Sequence, residues 1–159
     1  MYITQRPDQT GRVAIVTGAR SGIVYETASV LAEKNAVVVI AQRNLKKGHA
    51  AAEKIRSGHE AADIRIMELD LASLDSVRSF AAEFKEGYSR LDLLINNAGV
   101  MMPPYTKTKD GFELQFGTNH LGHFALTGLP LDLIKNTPGS RIVNVSSSGH
   151  HLGNLDLDD

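Results

Sequence analysis

Apolar residues gather in five short runs along the chain, at 13–16 (VAIV), 37–41 (VVVIA), 64–69 (IRIMEL), 91–95 (LDLLI) and 141–145 (RIVNV). Branched aliphatic residues dominate, and most runs lack polar alternation, which predicts strands buried on both faces, as in a parallel sheet. Between the runs the spacing becomes helical. In 73–86, Leu74, Val77, Phe80, Ala81 and Phe84 share one face, Ser73 is placed as the N-cap and Asp75 lies in the first turn. Segments 23–34 and 45–56 are shorter versions. Segment 112–134 is a long one, which Gly128 and Pro130 should kink or split.

Strands alternating with helices of this length build right-handed βαβ units and hence a doubly wound α/β sheet. The count is five strands and four helices, in the expected strand order 3-2-1-4-5. A ligand crevice then lies beyond the carboxyl ends of strands 1 and 4, where the order reverses. No linker or low-complexity tract divides the sequence, so residues 1–159 read as a single domain.

Composition narrows the function classes. With 17 basic and 18 acidic residues the net charge is −1, so nothing favours a nucleic-acid partner or an acidic membrane surface. The chain has no cysteine, which removes disulfides, thiolate nucleophiles and zinc-thiolate sites and agrees with a reducing compartment. Its longest apolar run, 36–41, is far below the roughly 18 residues that suggest a membrane span. The expectation is a cytoplasmic protein without a membrane span.

The chemistry starts where the first strand ends. Thr17-Gly18-Ala19-Arg20-Ser21-Gly22-Ile23-Val24 sits between strand and helix, where glycines let backbone amides approach a pyrophosphate at a helix N-terminus. Val24 occupies the position usually given to a third glycine and is expected to crowd the turn. The second strand ends in Gln42-Arg43-Asn44, with Lys46 and Lys47 beyond. An acid there would bind the ribose 2′-hydroxyl of NAD, whereas an arginine accommodates the 2′-phosphate, so NADP(H) is favoured over NAD(H).

TGARSGI, Asn96-Asn97-Ala98-Gly99 after the fourth strand, Asn119-His120-Leu121-Gly122 in the long helix and RIVNVSS at the fifth strand together resemble the short-chain dehydrogenase/reductase family. The stretches ELQFGTNHLGHFALT and RIVNVSSSGHHLG are similar to its retinol-dehydrogenase-like branch, over essentially all of residues 10–159. The resemblance implies a Rossmann-type fold and NADP(H)-dependent carbonyl/alcohol redox chemistry on a small, hydrophobic substrate. It assigns Gly18, Arg20, Ser21, Gly22 and Ile23 to the pyrophosphate and its ribose, and Arg43 and Asn44 to the adenosine phosphate. Asp70 and Leu71 would flank the adenine, and Asn97, Ala98 and Gly99 would form the floor under the cofactor. Asn119 would hold a relay water on its backbone, and Ser147 would hydrogen-bond the substrate carbonyl. The strand alternation turns Ser146 away.

In that family a tyrosine phenol transfers the proton, its pKa lowered from about 10 by the lysine of a Tyr-x-x-x-Lys element. Twelve residues follow Ser147 here, and none is tyrosine or lysine. The expectation is therefore a catalytically incomplete N-terminal part of the family fold. Tyr105 has Lys109 at the right spacing, but it follows Pro103-Pro104 upstream of Ser147 and is rejected as the acid. His120 and His123, three residues apart on a helix, lack a third ligand, and His150-His151 falls in a turn typical of the branch. All four are expected in core-packing or solvated polar roles, and no metal is expected. Asp156, Asp158 and Asp159 read as a solvated end, and Glu26 and Glu33 as exposed helix positions. Alternatives to a shortened reductase are a non-catalytic dinucleotide-binding module and a subunit-interaction protein, the latter including a homo-oligomer through the long helix or association at an open fifth strand.

Overall fold

The computed structural model describes residues 7–18 and 22–149. Five parallel strands, β1 (Val13–Thr17), β2 (Val37–Gln42), β3 (Ile64–Glu68), β4 (Leu93–Asn96) and β5 (Arg141–Asn144), form one sheet in the order β3-β2-β1-β4-β5. Three helices, α1 (Ile23–Glu33), α2 (Leu45–Gly58) and α3 (Leu74–Gly87), connect the first four strands.

Successive residues of a strand face opposite layers. Val16, Val38, Ile40, Ile64 and Ile95 therefore pack with Val24, Ala28 and Ala32 of α1 and Ala52 and Ile55 of α2. Ile15, Val39, Ala41 and Leu94 face the other way, onto Val77, Phe80 and Phe84 of α3 and onto Leu126 and Ile134. Both faces of the central strands are covered, hence their continuous apolar runs. Val24, expected to crowd the glycine turn, lies in the first of these cores on the Val24–Ala28–Ala32 stripe of α1.

The edges depart from the expected two-sided burial. In β3, Arg65 and Glu68 are exposed, and every residue of β5 is exposed. An edge strand has one neighbour instead of two, and solvent reaches what its missing partner would shield.

The long helix breaks where its sequence breaks, and at one further place. Glu113 caps α4 (Leu114–Phe116), its carboxylate accepting the N–H groups of Gln115 at 2.8 Å and Phe116 at 2.7 Å. A π-helical turn at Gly117–Leu121 follows, closed by Gly122 N–H donating to the Gly117 carbonyl. The chain continues as α5 (Gly122–Gly128) and, past Pro130, as α6 (Leu131–Asn136). Proline's missing N–H explains the second break. The one-residue surplus of the π turn was not predicted.

Asp92 locks the central strand pair. Its buried carboxylate accepts Val13 N–H at 2.9 Å and two bonds from Arg90, at 2.8 and 2.6 Å. Burial pushes this carboxyl up, but the Arg90 guanidinium and Val13 N–H outweigh it and hold the group below its ordinary value.

Candidate functional site

The expected site residues follow the carboxyl ends of the five strands. Gly18 follows β1, Arg43 and Asn44 follow β2, Asp70 and Leu71 follow β3, Asn97–Gly99 follow β4, and Ser147 follows β5. Arg20 and Ser21 lie outside the described residues. β1 lies between β2 and β4, so the crossovers leave in opposite directions at the strand that carries the glycine turn.

Two clamps hold the turn after β4. Thr17, the buried polar end of β1, accepts Asn97 N–H and Ala98 N–H on one hydroxyl oxygen, both at 3.0 Å. Asn119, in the π turn, grips the next peptide from the other side: its Oδ1 accepts Val100 N–H at 2.9 Å, and its Nδ2 donates to the Val100 carbonyl at 2.8 Å. Gly18 seals the contact, because a Cβ there would sit 2.8 Å from Ala98 Cβ and its φ of +78° already suits glycine.

The clamped turn forms one wall of a cleft of about 650 Å³, opposite Asn144–Ser147 and alongside the helix residues Asn119 and His123. Three of the expected groups, the Asn97–Gly99 floor, Asn119 and Ser147, thus line one space. Ser147 Oγ accepts Gly149 N–H at 3.1 Å. Below it Asn96 spans the strand ends, its Nδ2 donating to Asn144 Oδ1 at 2.8 Å and to Thr127 Oγ1 at 3.0 Å.

The expected nucleotide end lies along β1, β2 and β3. α1 opens at Gly22 (φ +66°) with no side-chain cap, and no atom stands within 4 Å of where a Gly22 Cβ would be. Ile23 is 75% exposed at that opening. Arg43 is exposed at the end of β2, while Asn44 caps α2 by accepting Lys47 N–H at 3.0 Å. Asp70 accepts Ala72 N–H at 3.1 Å, and the Leu71 side chain is buried in the core.

The family model described as short chain dehydrogenase matches residues 12–155. The chain belongs to that family. Mouse retinol dehydrogenase 11 is 52% identical over 145 residues, covering 91% of this chain and 46% of that protein. The chain spans about half the length of the curated relatives it matches. Among solved structures, an uncharacterised protein from Mycobacterium paratuberculosis superposes with a TM-score of 0.81 at 46% identity, covering 96% of this chain and 52% of that one. A short chain dehydrogenase from Shigella flexneri, solved with NADP, gives a TM-score of 0.78 at 25% identity and covers 91% of this chain and 62% of that one.

Within this short chain dehydrogenase chain the rejected candidates take ordinary places. Tyr105 is 79% exposed in the loop after Pro103-Pro104, and no helix presents it with Lys109. Lys109 instead lies 4.0 Å from Asp70. His120 is exposed and stacks between Phe116 at 5.2 Å and Phe124 at 6.5 Å. Glu26 and Glu33 are exposed on α1, whereas His150, His151 and the terminal aspartates lie outside the described residues. No helix among the described residues is long and apolar enough to cross a membrane.

Sequence reasoning missed the supporting groups. Thr17, Asn96, Thr127 and His123 all carry hydrogen bonds at the crevice. The available signal for the first two was a polar residue closing an otherwise apolar strand.

Proposed function

We propose that residues 1–159 form a single nucleotide-binding domain of an NADP(H)-dependent oxidoreductase acting on a hydrophobic alcohol or its carbonyl counterpart. One observation carries the reading: the clamped Asn97–Gly99 floor, Asn119 and Ser147 line one cleft, with Gly18 directly against Ala98 at the reversal of strand order. Retinol dehydrogenases among the relatives support the apolar substrate, and the Shigella flexneri NADP complex supports the cofactor.

The residues present fit that cofactor. An uncapped helix N-terminus behind a left-handed glycine suits a pyrophosphate, and Arg43 stands at the end of β2 with Lys46 and Lys47 exposed beyond it. When bound, NADPH supplies a hydride to a carbonyl carbon. Arg43 would pair with the 2′-phosphate, and the Asn97–Gly99 turn would exclude water beneath the ring. Ser147 would hold the substrate oxygen by a hydrogen bond. The proton donor of the family's chemistry has no candidate within residues 1–159, whose single Tyr-x-x-x-Lys spacing is the rejected loop pair. The domain therefore supplies the cofactor-binding half of the reaction and little turnover by itself.

Fluorescence titration with NADPH and NADH tests the assignment. Wild type should prefer NADPH, and Arg43→Glu should weaken NADPH by about tenfold or more while leaving NADH nearly unchanged. Absence of NADPH binding at millimolar ligand overturns the reading.

Self-association has support of its own in Phe116 and Phe124, 54% and 74% exposed on the long helix, and in the exposed β5 edge. Sedimentation is expected to show a dimer at micromolar concentration. A stable monomer there overturns it.

A further inference from the structure

His123 lies between the two clamps that hold the floor turn. It is 7% exposed in α5, with Nε2 3.0 Å from Thr17 Oγ1 and Nδ1 2.9 Å from the Asn119 carbonyl oxygen. Thr17 is separated from it by 106 residues of sequence, and Asn119 stands one turn earlier on the π-helical stretch.

The hydrogen-bond count fixes the protons. A carbonyl only accepts, so the hydrogen facing Asn119 belongs to Nδ1. Thr17 Oγ1 already receives two N–H groups, from Asn97 and Ala98, which fill its acceptor positions. Its own hydrogen can go to His123 Nε2 at 3.0 Å or to the Ile95 carbonyl at 3.3 Å. A hydrogen on Nε2 would point at an oxygen with no acceptor capacity left, so Nε2 is bare and accepts from Thr17. Each group in the series Thr17–His123–Asn119 then has a partner of the right kind.

We propose that His123, locked as the neutral Nδ1–H tautomer, is a positioning residue that ties the Thr17 and Asn119 clamps into one unit and so fixes the cofactor floor. Burial, the larger influence, pushes its imidazole below the ordinary value against the opposing pull of the Asn119 carbonyl, which keeps the ring neutral near pH 7. The ring touches neither cofactor nor substrate in this role. It acts through Thr17 on the Asn97 and Ala98 amides, and through Asn119 on Val100. The inference rests on the cofactor site proposed above, although its first two tests need no cofactor.

Nitrogen-15 shifts of the histidine rings, measured on the 159-residue chain, should show His123 with a protonated Nδ1 and a bare Nε2. An Nε2–H tautomer or a charged ring at pH 7 overturns the proposal. In His123→Phe the Asn97 and Ala98 amides should exchange about tenfold faster than in wild type, while the β2 amides of Val38 and Val39 keep their protection. Uniform acceleration across the sheet would mark a merely structural role and overturn it. NADPH affinity should fall about tenfold in the Phe variant and recover in part in His123→Gln, whose amide oxygen can accept from Thr17. Equal loss in both variants counts against the proposal. Failure of wild type to bind NADPH defeats the cofactor assignment alone, since the tautomer and exchange results stand without it.

Discussion

Gly122→Ala is expected to destabilise the protein by about 3 kcal/mol, at the upper end for overpacking. A Cβ at Gly122 would be driven onto the Leu71 carbonyl oxygen, far inside van der Waals contact, with Leu71 Cβ only 3.0 Å away. Neither side yields easily. The helix is fixed by its own hydrogen bonds, and Leu71 is buried in the core between β3 and α3. For a domain of this size the loss corresponds to a thermal midpoint lower by about 6–12 °C. Because α5 also carries His123, the displacement should reach the cleft and reduce NADPH binding in the folded fraction. Calorimetry with a parallel titration checks both effects, and an unchanged midpoint would show that the helix can slide past Leu71. Gly128→Ala is the matched control, since no atom lies within 4 Å of a Cβ there.

Thr17→Val should cost a comparable amount, about 2–4 kcal/mol, without any change in shape. The valine fills the same volume but removes the oxygen on which the Asn97 and Ala98 N–H groups converge at 3.0 Å. Both donors would then face an apolar neighbour, and a donor left without its acceptor costs more than the bond itself contributes. His123 Nε2 would lose its donor as well. Thr17→Ser keeps the hydroxyl and should stay close to wild type. The pair of variants separates the hydrogen bonds from the packing, and urea denaturation of each gives the comparison. Equal midpoints for Val and wild type would remove Thr17 from the account of the floor.

The fold was readable because burial on both faces leaves a plain trace in sequence. VAIV and VVVIA are apolar throughout since each alternate residue meets a different helix layer, and these runs became β1 and β2. Ser73 was legible as a cap by its type and place, and its Oγ does accept Ser76 N–H, at 3.4 Å. What the pattern could not show was how much of each edge strand would stay uncovered. RIVNV looks like the central runs, yet as β5 it lies at the margin with Ile142, Val143 and Val145 exposed. The strand order followed from the alternation of strands and helices, whereas burial of an edge strand depends on what packs over it, and apolar content is blind to that.

The site divided in the same way. The glycine turn and the Asn97–Gly99 stretch are local signals, legible from residue type and place. His123 looked like a core or solvated histidine because its importance lies in a contact with Thr17 that no spacing rule reaches. The π turn was hidden for a related reason. Each residue in Gly117–Leu121 is acceptable in an ordinary helix, and the surplus shows only in the bond from Gly122 to Gly117.

That surplus residue bears on how such a sequence can change over generations. An α-helix turns about 100° per residue, so losing one position within Gly117–Leu121 would rotate everything downstream by roughly that angle. His123 would swing away from Thr17, and Gly122 would leave Leu71 to a bulkier neighbour. Most substitutions in this stretch alter one side chain, whereas a single-codon deletion would put the whole of α5 out of phase with the sheet. Insertions and deletions should therefore be selected against here far more strongly than point changes, and length drift should accumulate in the exposed turns between elements.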